Sequence, residues 1–169
     1  RRTADRMEEA EKAPETLDNP ALGGATPEQS ANTPTQTGSI EWSSFHELLR
    51  IVYCDRKLDT GNEFSLDDAV ALHTLGSEAF REGARFLEIG SWKGRSSIVL
   101  AGTLSGSNGA LICVDTWQGS SGVVHHEQEV RKRDVLELFQ HNLSVLGLND
   151  RVTTKVSTSA QAAQEFQDE

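Results

Sequence analysis

Proline and cysteine are nearly missing from most of this chain of 169 residues. All four prolines (Pro14, Pro20, Pro27 and Pro34) fall in the first 39 residues, whose only large apolar side chains are Met7, Leu17 and Leu22. A segment of that kind cannot bury enough apolar surface to offset its chain entropy, so residues 1–39 are expected to form a disordered tail. The two cysteines, Cys54 and Cys113, lie far apart and fit no metal-ligand spacing. Cys113 sits inside ALICVD and is expected to be buried and reduced. Positive charge is also short: 16 Lys and Arg against 26 Asp and Glu give a net charge of −10. No basic stripe marks a nucleic-acid footprint, and the densest cluster, Arg131-Lys132-Arg133, reads as a solvated helix face. There is no apolar stretch long enough to span a bilayer and no secretory core after RRTADR. Neither a nucleic acid nor a membrane is therefore expected as a partner, and the cytoplasm is the expected compartment.

What is present has a clear order. Residues 39–53 place Trp42, Phe45, Leu48, Leu49 and Val52 at helical spacing. Ser65 opens a second helix through a capping box with Asp68, and Gly83 marks its end. Leu66, Val70, Leu72, Leu75 and Phe80 are expected on its buried side. The rhythm then changes to strands at 84–90, 110–115 and 151–157. A helix carrying Ile98 to Leu104 follows the first, one helix from about 127 to 146 follows the second, and another begins after the third. Apolar strands alternating with helices indicate an α/β chain with a Rossmann-like, doubly wound parallel sheet. It is incomplete, with about three strands, and is preceded by helices. The expected domains are the tail at 1–39, N-terminal helices at 40–83 and a partial Rossmann-like domain at 84–169.

In such folds the ligand lies beyond the carboxyl ends of the strands, at the first strand-to-helix turn. Here that turn reads FLEIGSWKGRSS (86–97). A dinucleotide turn needs G-x-G-x-x-G, but from Gly90 the second position is Trp92 and the third is Arg95. The indole would obstruct a diphosphate, although Lys93, Arg95 and a helix N-terminus could still attract an anion. No G-x-x-x-x-G-K-[ST] P-loop is present either. NAD and nucleoside triphosphates are thus disfavoured, and an adenosyl ligand without a diphosphate is the better match.

FLEIGSWKGRSS, ALICVDTWQG and DRVTTKVSTSAQAAQEF together resemble the first half of a class I S-adenosylmethionine-dependent methyltransferase. In particular they are similar to the small bacterial group with an E-x-G-x-x-x-G turn. The resemblance spans about residues 65–169. It implies S-adenosyl-L-methionine as cofactor, a small-molecule methyl acceptor, and the cofactor contacts that follow. Glu88 would help fix the methionine portion, and Gly90 and Gly94 would leave room for the cofactor against backbone. Asp115 would accept hydrogen bonds from both ribose hydroxyls, and Trp117 would lie against adenine. Thr158 and Ser159 would sit near the adenine amino group. Ser91, Ser96 and Thr116, beside these positions, complete the expected set. Electrostatics points the same way, since a sulfonium and an ammonium suit carboxylates better than a diphosphate does. On this reading Glu88 and Asp115, 27 positions apart, grip opposite ends of one cationic donor and must share a cleft.

Each residue also has a plainer reading. Glu88 would be an ordinary strand-end carboxylate, Asp115 a loop cap, Trp92 and Trp117 packing residues, and the glycines turn formers. His125 and His126 are expected as surface loop residues, with no carboxylate cluster to make a metal site; a general base toward an acceptor hydroxyl is the role to test if one is functional. No catalytic residue is identified. Because the chain does not begin with methionine and stops inside its last helix, it is expected to be an N-terminal excerpt. The first strand, although it reads as central and buried, would otherwise keep an open edge. The competing function is a non-catalytic Rossmann-like interaction module; an NAD-dependent oxidoreductase fragment ranks below both.

Overall fold

The computed structural model describes residues 40–166; the expected tail at 1–39 lies outside the described residues. Helix α1 spans Phe45–Cys54 and α2 spans Leu66–Ala79. Both are started by serine. Ser44 accepts from the Glu47 amide, and Ser65 forms the expected reciprocal capping box with Asp68. Then come β1 (Arg85–Ile89), α3 (Arg95–Thr103), β2 (Ala110–Asp115), α4 (Val124–Lys132), α5 (Val135–Val145), β3 (Val152–Val156) and α6 (Ser159–Glu165), with a 3-10 turn at Asn149–Arg151 before β3.

The three strands form one parallel sheet in the order β1-β2-β3. Phe86, Glu88, Leu111 and Cys113 share one face, because residues two apart point the same way and Phe86 pairs with Leu111. That face is covered by apolar side chains of α1 (Leu48, Ile51, Val52), α3 (Ile98, Ala101) and α5 (Val135, Phe139, Leu143), which join Leu111 and Cys113 in one core. Lys155 lies on the opposite face and bonds Glu165 of α6, so α6 packs there. Helices on both faces of a parallel sheet make the Rossmann-like, doubly wound architecture expected from the alternation of elements.

Three expectations need correction. The helix expected from 127 to 146 is two helices: Arg133 is extended (φ −159°), and Asp134 caps α5 by accepting from the Glu137 amide. The buried side of α2 is Ala69 and Gly76, with Leu72 half-buried beside Val99. Leu66, Val70 and Leu75 are exposed, because α2 meets α3 through its small residues: a Cβ on Gly76 would come within 3.3 Å of Thr103. Finally, β1 is not central. Among the described residues it forms one edge of the sheet, and Leu87 and Ile89 are 47% and 59% exposed. The open edge itself is as anticipated.

Candidate functional site

The carboxyl ends of β1, β2 and β3 converge on a hollow of about 340 Å³. Ile89, Gly90, Trp92, Asp115, Thr116, Gly119, His126, Thr158 and Ser159 are among its walls. A second hollow of about 180 Å³ lies on the other side of Gly90 and Trp92, against Thr60, Glu63, Phe64 and residues 91–96. Gly90 has φ +88°, and a Cβ built on it meets nothing within 4 Å. Its missing side chain therefore leaves open space in the cleft. Gly94 also has φ +88°, but a Cβ there would strike Phe139 at 2.8 Å. Its bareness accommodates the core.

Asp115 ties two loops together. Its Oδ2 accepts from the Trp92 amide and its Oδ1 from the Trp117 amide, both at 2.8 Å. The Trp117 indole Nε1–H donates to the Trp92 carbonyl, also at 2.8 Å. Both tryptophans are left-handed, with φ 46° and 53°. A bulky residue held there costs of order 1–3 kcal/mol and persists only when its surroundings over-determine it. Here one carboxylate and one indole do so. The two indoles then part company. Trp117 is 2% exposed and packs on Phe139 at 5.1 Å between ring centres, so it is a core residue and does not face the hollow. Trp92 is half-buried, forms a wall common to both hollows, and lies tilted against the His126 ring at 4.2 Å between centres.

Glu88 lines neither hollow. Its Oε2 accepts from Ser97 Oγ of α3 and lies 3.5 Å from Cys113 Sγ. Cys113 is buried, as expected, and burial first, then the Glu88 charge, push its thiol up to about 12, which leaves it unreactive. The structure thus does not bring Glu88 and Asp115 to one cleft. Gly90, Asp115, Thr116, Thr158 and Ser159 meet in the larger hollow, and Gly90, Ser91, Gly94 and Ser96 in the smaller. Thr158 is also the N-cap of α6, accepting from the Gln161 amide.

His125 and His126 are not loop residues. They occupy the first turn of α4, whose start carries no side-chain cap that the sequence could have announced. Glu63, His125 and His126 each bring a ligand-type atom within 4.8 Å of the others, a cluster the sequence reading did not foresee. The Ser120 amide donates to His126 Nδ1 at 3.2 Å, which places the proton of the neutral ring on Nε2. In this arrangement Nε2 is neither a free metal ligand nor a ready base.

Sequence reasoning also missed the charged network behind the turn. Lys93, 8% exposed, bonds Glu129 at 2.8 Å and Asp59 at 3.4 Å, and Arg133 reaches both carboxylates. Burial opposes ionisation of Asp59, but the Arg133 hydrogen bond and the Lys93 charge outweigh it and hold its carboxyl below the usual value. Hydrogen bonding from Lys93 lowers Glu129 in the same sense. Arg131, Lys132 and Arg133 are exposed, as expected of a solvated face, and Arg133 in addition joins this ion-pair network. Arg95 donates to Thr60 Oγ1 and to the carbonyls of Gly61 and Phe64. The two cations that could have drawn an anion to the turn instead hold the 59–64 loop. Fully buried Asn142, a polar residue within the apolar stripe of α5, was the readable signal.

A family model described as a methyltransferase domain matches residues 87–169, just under half of the chain. That match places a methyltransferase domain at residues 87–169. The matched segment starts inside β1, so it contains the whole turn, both tryptophans and Asp115. No curated protein matches the chain. Among solved structures, a "putative O-methyltransferase" from Klebsiella pneumoniae aligns with 73% of this chain at 20% identity and a TM-score of 0.46. The chain spans about half, 47%, of the length of that protein. Outside the methyltransferase segment, no helix among the described residues is long and apolar enough to cross a membrane, and the same holds within it.

Proposed function

We propose that this methyltransferase domain binds S-adenosyl-L-methionine in the larger hollow and serves methyl transfer to a small-molecule acceptor. The observation that supports this most directly is Asp115 at the very end of β2, lining the larger hollow beside the open space over Gly90. Each Asp115 oxygen already accepts one amide and keeps a second lone pair, so the pair suits vicinal hydroxyls of a ribose. A hollow of about 340 Å³ is at the lower end of the roughly 300–1,000 Å³ typical of small-molecule sites. When bound, the cofactor would supply an electrophilic methyl group. The chain's own part is to orient the nucleoside through Asp115, wall it with Trp92, and keep backbone clear at Gly90. Thr116, Thr158 and Ser159 border the same space, while Ser91 and Ser96 border the smaller hollow. Both cysteines are unpaired, which fits a reducing compartment, and we place the protein in the cytoplasm.

Calorimetric titration with S-adenosyl-L-methionine, S-adenosyl-L-homocysteine and NAD tests this reading. Binding of both adenosyl ligands, lost in Asp115→Ala and absent for NAD, is the expected result. Equal affinity for NAD and the adenosyl ligands would overturn it.

A further inference from the structure

A two-carboxylate grip on a cationic donor needs a second acid, and Glu88 lines neither hollow. We propose that Glu63, on the connection between α1 and α2, takes that part by meeting the ammonium group of the ligand's amino-acid end in the smaller hollow, an inference that rests on the adenosyl reading above.

Of the described residues that line the smaller hollow, Glu63 alone is acidic. The two basic residues of its walls are already engaged. Lys93 is held by Asp59 and Glu129, and Arg95 by Thr60 and the carbonyls of Gly61 and Phe64. Glu63 is not neutralised in this way. Its Oε2 accepts from the Asn62 amide at 2.9 Å, and its Oε1 lies 3.5 Å from His125 Nε2. Neither contact is with a permanent cation, so its charge and its remaining lone pairs stay open to a ligand.

Other walls of the same hollow suit a carboxylate. Helix α3 starts at Gly94 without a side-chain cap, and its first backbone bond runs from the Ile98 amide to the Gly94 carbonyl. The Arg95 and Ser96 amides before it have no partner within the helix, and both residues line the hollow. Ser91, a further wall and 2% exposed, has an Oγ with no hydrogen-bond partner. An amino-acid end carries an anion and a cation side by side. This hollow answers both, with amides for the carboxylate and Glu63 for the ammonium. The way in is open as well. Gly90 lines both hollows and a Cβ there meets nothing within 4 Å, so a thin aliphatic chain can cross from a nucleoside held at Asp115. Glu63 precedes the matched segment at 87–169, so the α1–α2 connection completes a site that the segment alone leaves one acid short.

The test is calorimetric, with S-adenosyl-L-homocysteine and its deaminated analogue, which has hydrogen in place of the ammonium group, as probes on the wild type, Glu63→Gln and Glu88→Gln. A cooperative melt checks that each variant folds. Glu63 is 39% exposed, so solvent screens the pairing, and Glu63→Gln should weaken S-adenosyl-L-homocysteine by about fivefold. The deaminated analogue should bind Glu63→Gln as it binds the wild type, and Glu88→Gln should shift both probes alike. If Glu63→Gln leaves the ratio of the two affinities unchanged while the wild type binds S-adenosyl-L-homocysteine, the role of Glu63 is refuted and the adenosyl reading stands. If Glu88→Gln narrows the ratio and Glu63→Gln does not, Glu88 holds the ammonium and the inference is overturned. If the wild type binds neither probe, the adenosyl reading itself fails and this inference falls with it.

Discussion

Glu88 and Asp115 are carboxylates near the ends of neighbouring strands, yet they do different work. Asp115 is the last residue of β2, and its oxygens receive amides from the two loops that frame the larger hollow. Glu88 is the last but one of β1 and pairs in register with Cys113, two residues before Asp115. At about 3.3 Å per residue it sits roughly 6–7 Å below the rim, beneath α3. There it faces Ser97 and Cys113. A carboxylate at the rim can greet a ligand and brace loops at once; one a pleat repeat lower, half-buried, turns instead to the neighbouring strand and helix.

The largest effect should therefore come from Asp115→Ala. It removes the acceptor of two partly buried amides, each worth about 1–3 kcal/mol when left unpaired. We expect a loss of about 2–4 kcal/mol in denaturant unfolding, together with undetectable binding of S-adenosyl-L-homocysteine. Next is Lys93→Met, which leaves Asp59 and Glu129 to Arg133 alone. Chemical denaturation should show about 2 kcal/mol lost, less than the roughly 3–5 kcal/mol for breaking a fully buried pair. Glu88→Gln should rank below both, at about 1 kcal/mol and with less than a tenfold change in ligand affinity, because an amide can still accept from Ser97. A larger affinity loss in Glu88→Gln than in Asp115→Ala would reverse the comparison and restore the shared grip expected from sequence.

The smallest effect is on pH dependence. Asp59 and Glu129 both have folded-state values below their ordinary ones. Their stabilisation is complete above the unfolded-state carboxylate range and is lost as pH falls through the depressed folded values. Amide exchange in the 55–64 loop should accelerate, relative to that in β2, as pH is lowered from about 6 to about 3. Unchanged relative protection would show that the network does not hold this loop.

The contrast also shows how much could be read in the chain. Apolar alternation located all three strands, and the Ser65–Asp68 pair located the start of α2, because both signals are local. The Asp134–Glu137 cap is equally local, and its neglect merged α4 with α5. Other features depend on partners distant in sequence. Whether Trp92 or Trp117 lines the hollow follows from which indole finds Phe139, and Lys93 is unreadable as a buried cation until Asp59 and Glu129 are beside it. The depth of Glu88 could have been counted, since the strand runs one residue beyond it. The exposure of Leu66, Val70 and Leu75 could not, because α2 meets its neighbour through Ala69 and Gly76.

Asn142 gives the arrangement a mechanical side. Its amide nitrogen donates to the carbonyls of Asp59 and Lys93, and its oxygen accepts from the Asp59 amide. One side chain, fixed on α5, thus rivets the α1–α2 connection to the strand-end turn. A displacement of that connection is therefore passed to the Lys93 carbonyl, in the turn that lines the smaller hollow, through a single side chain.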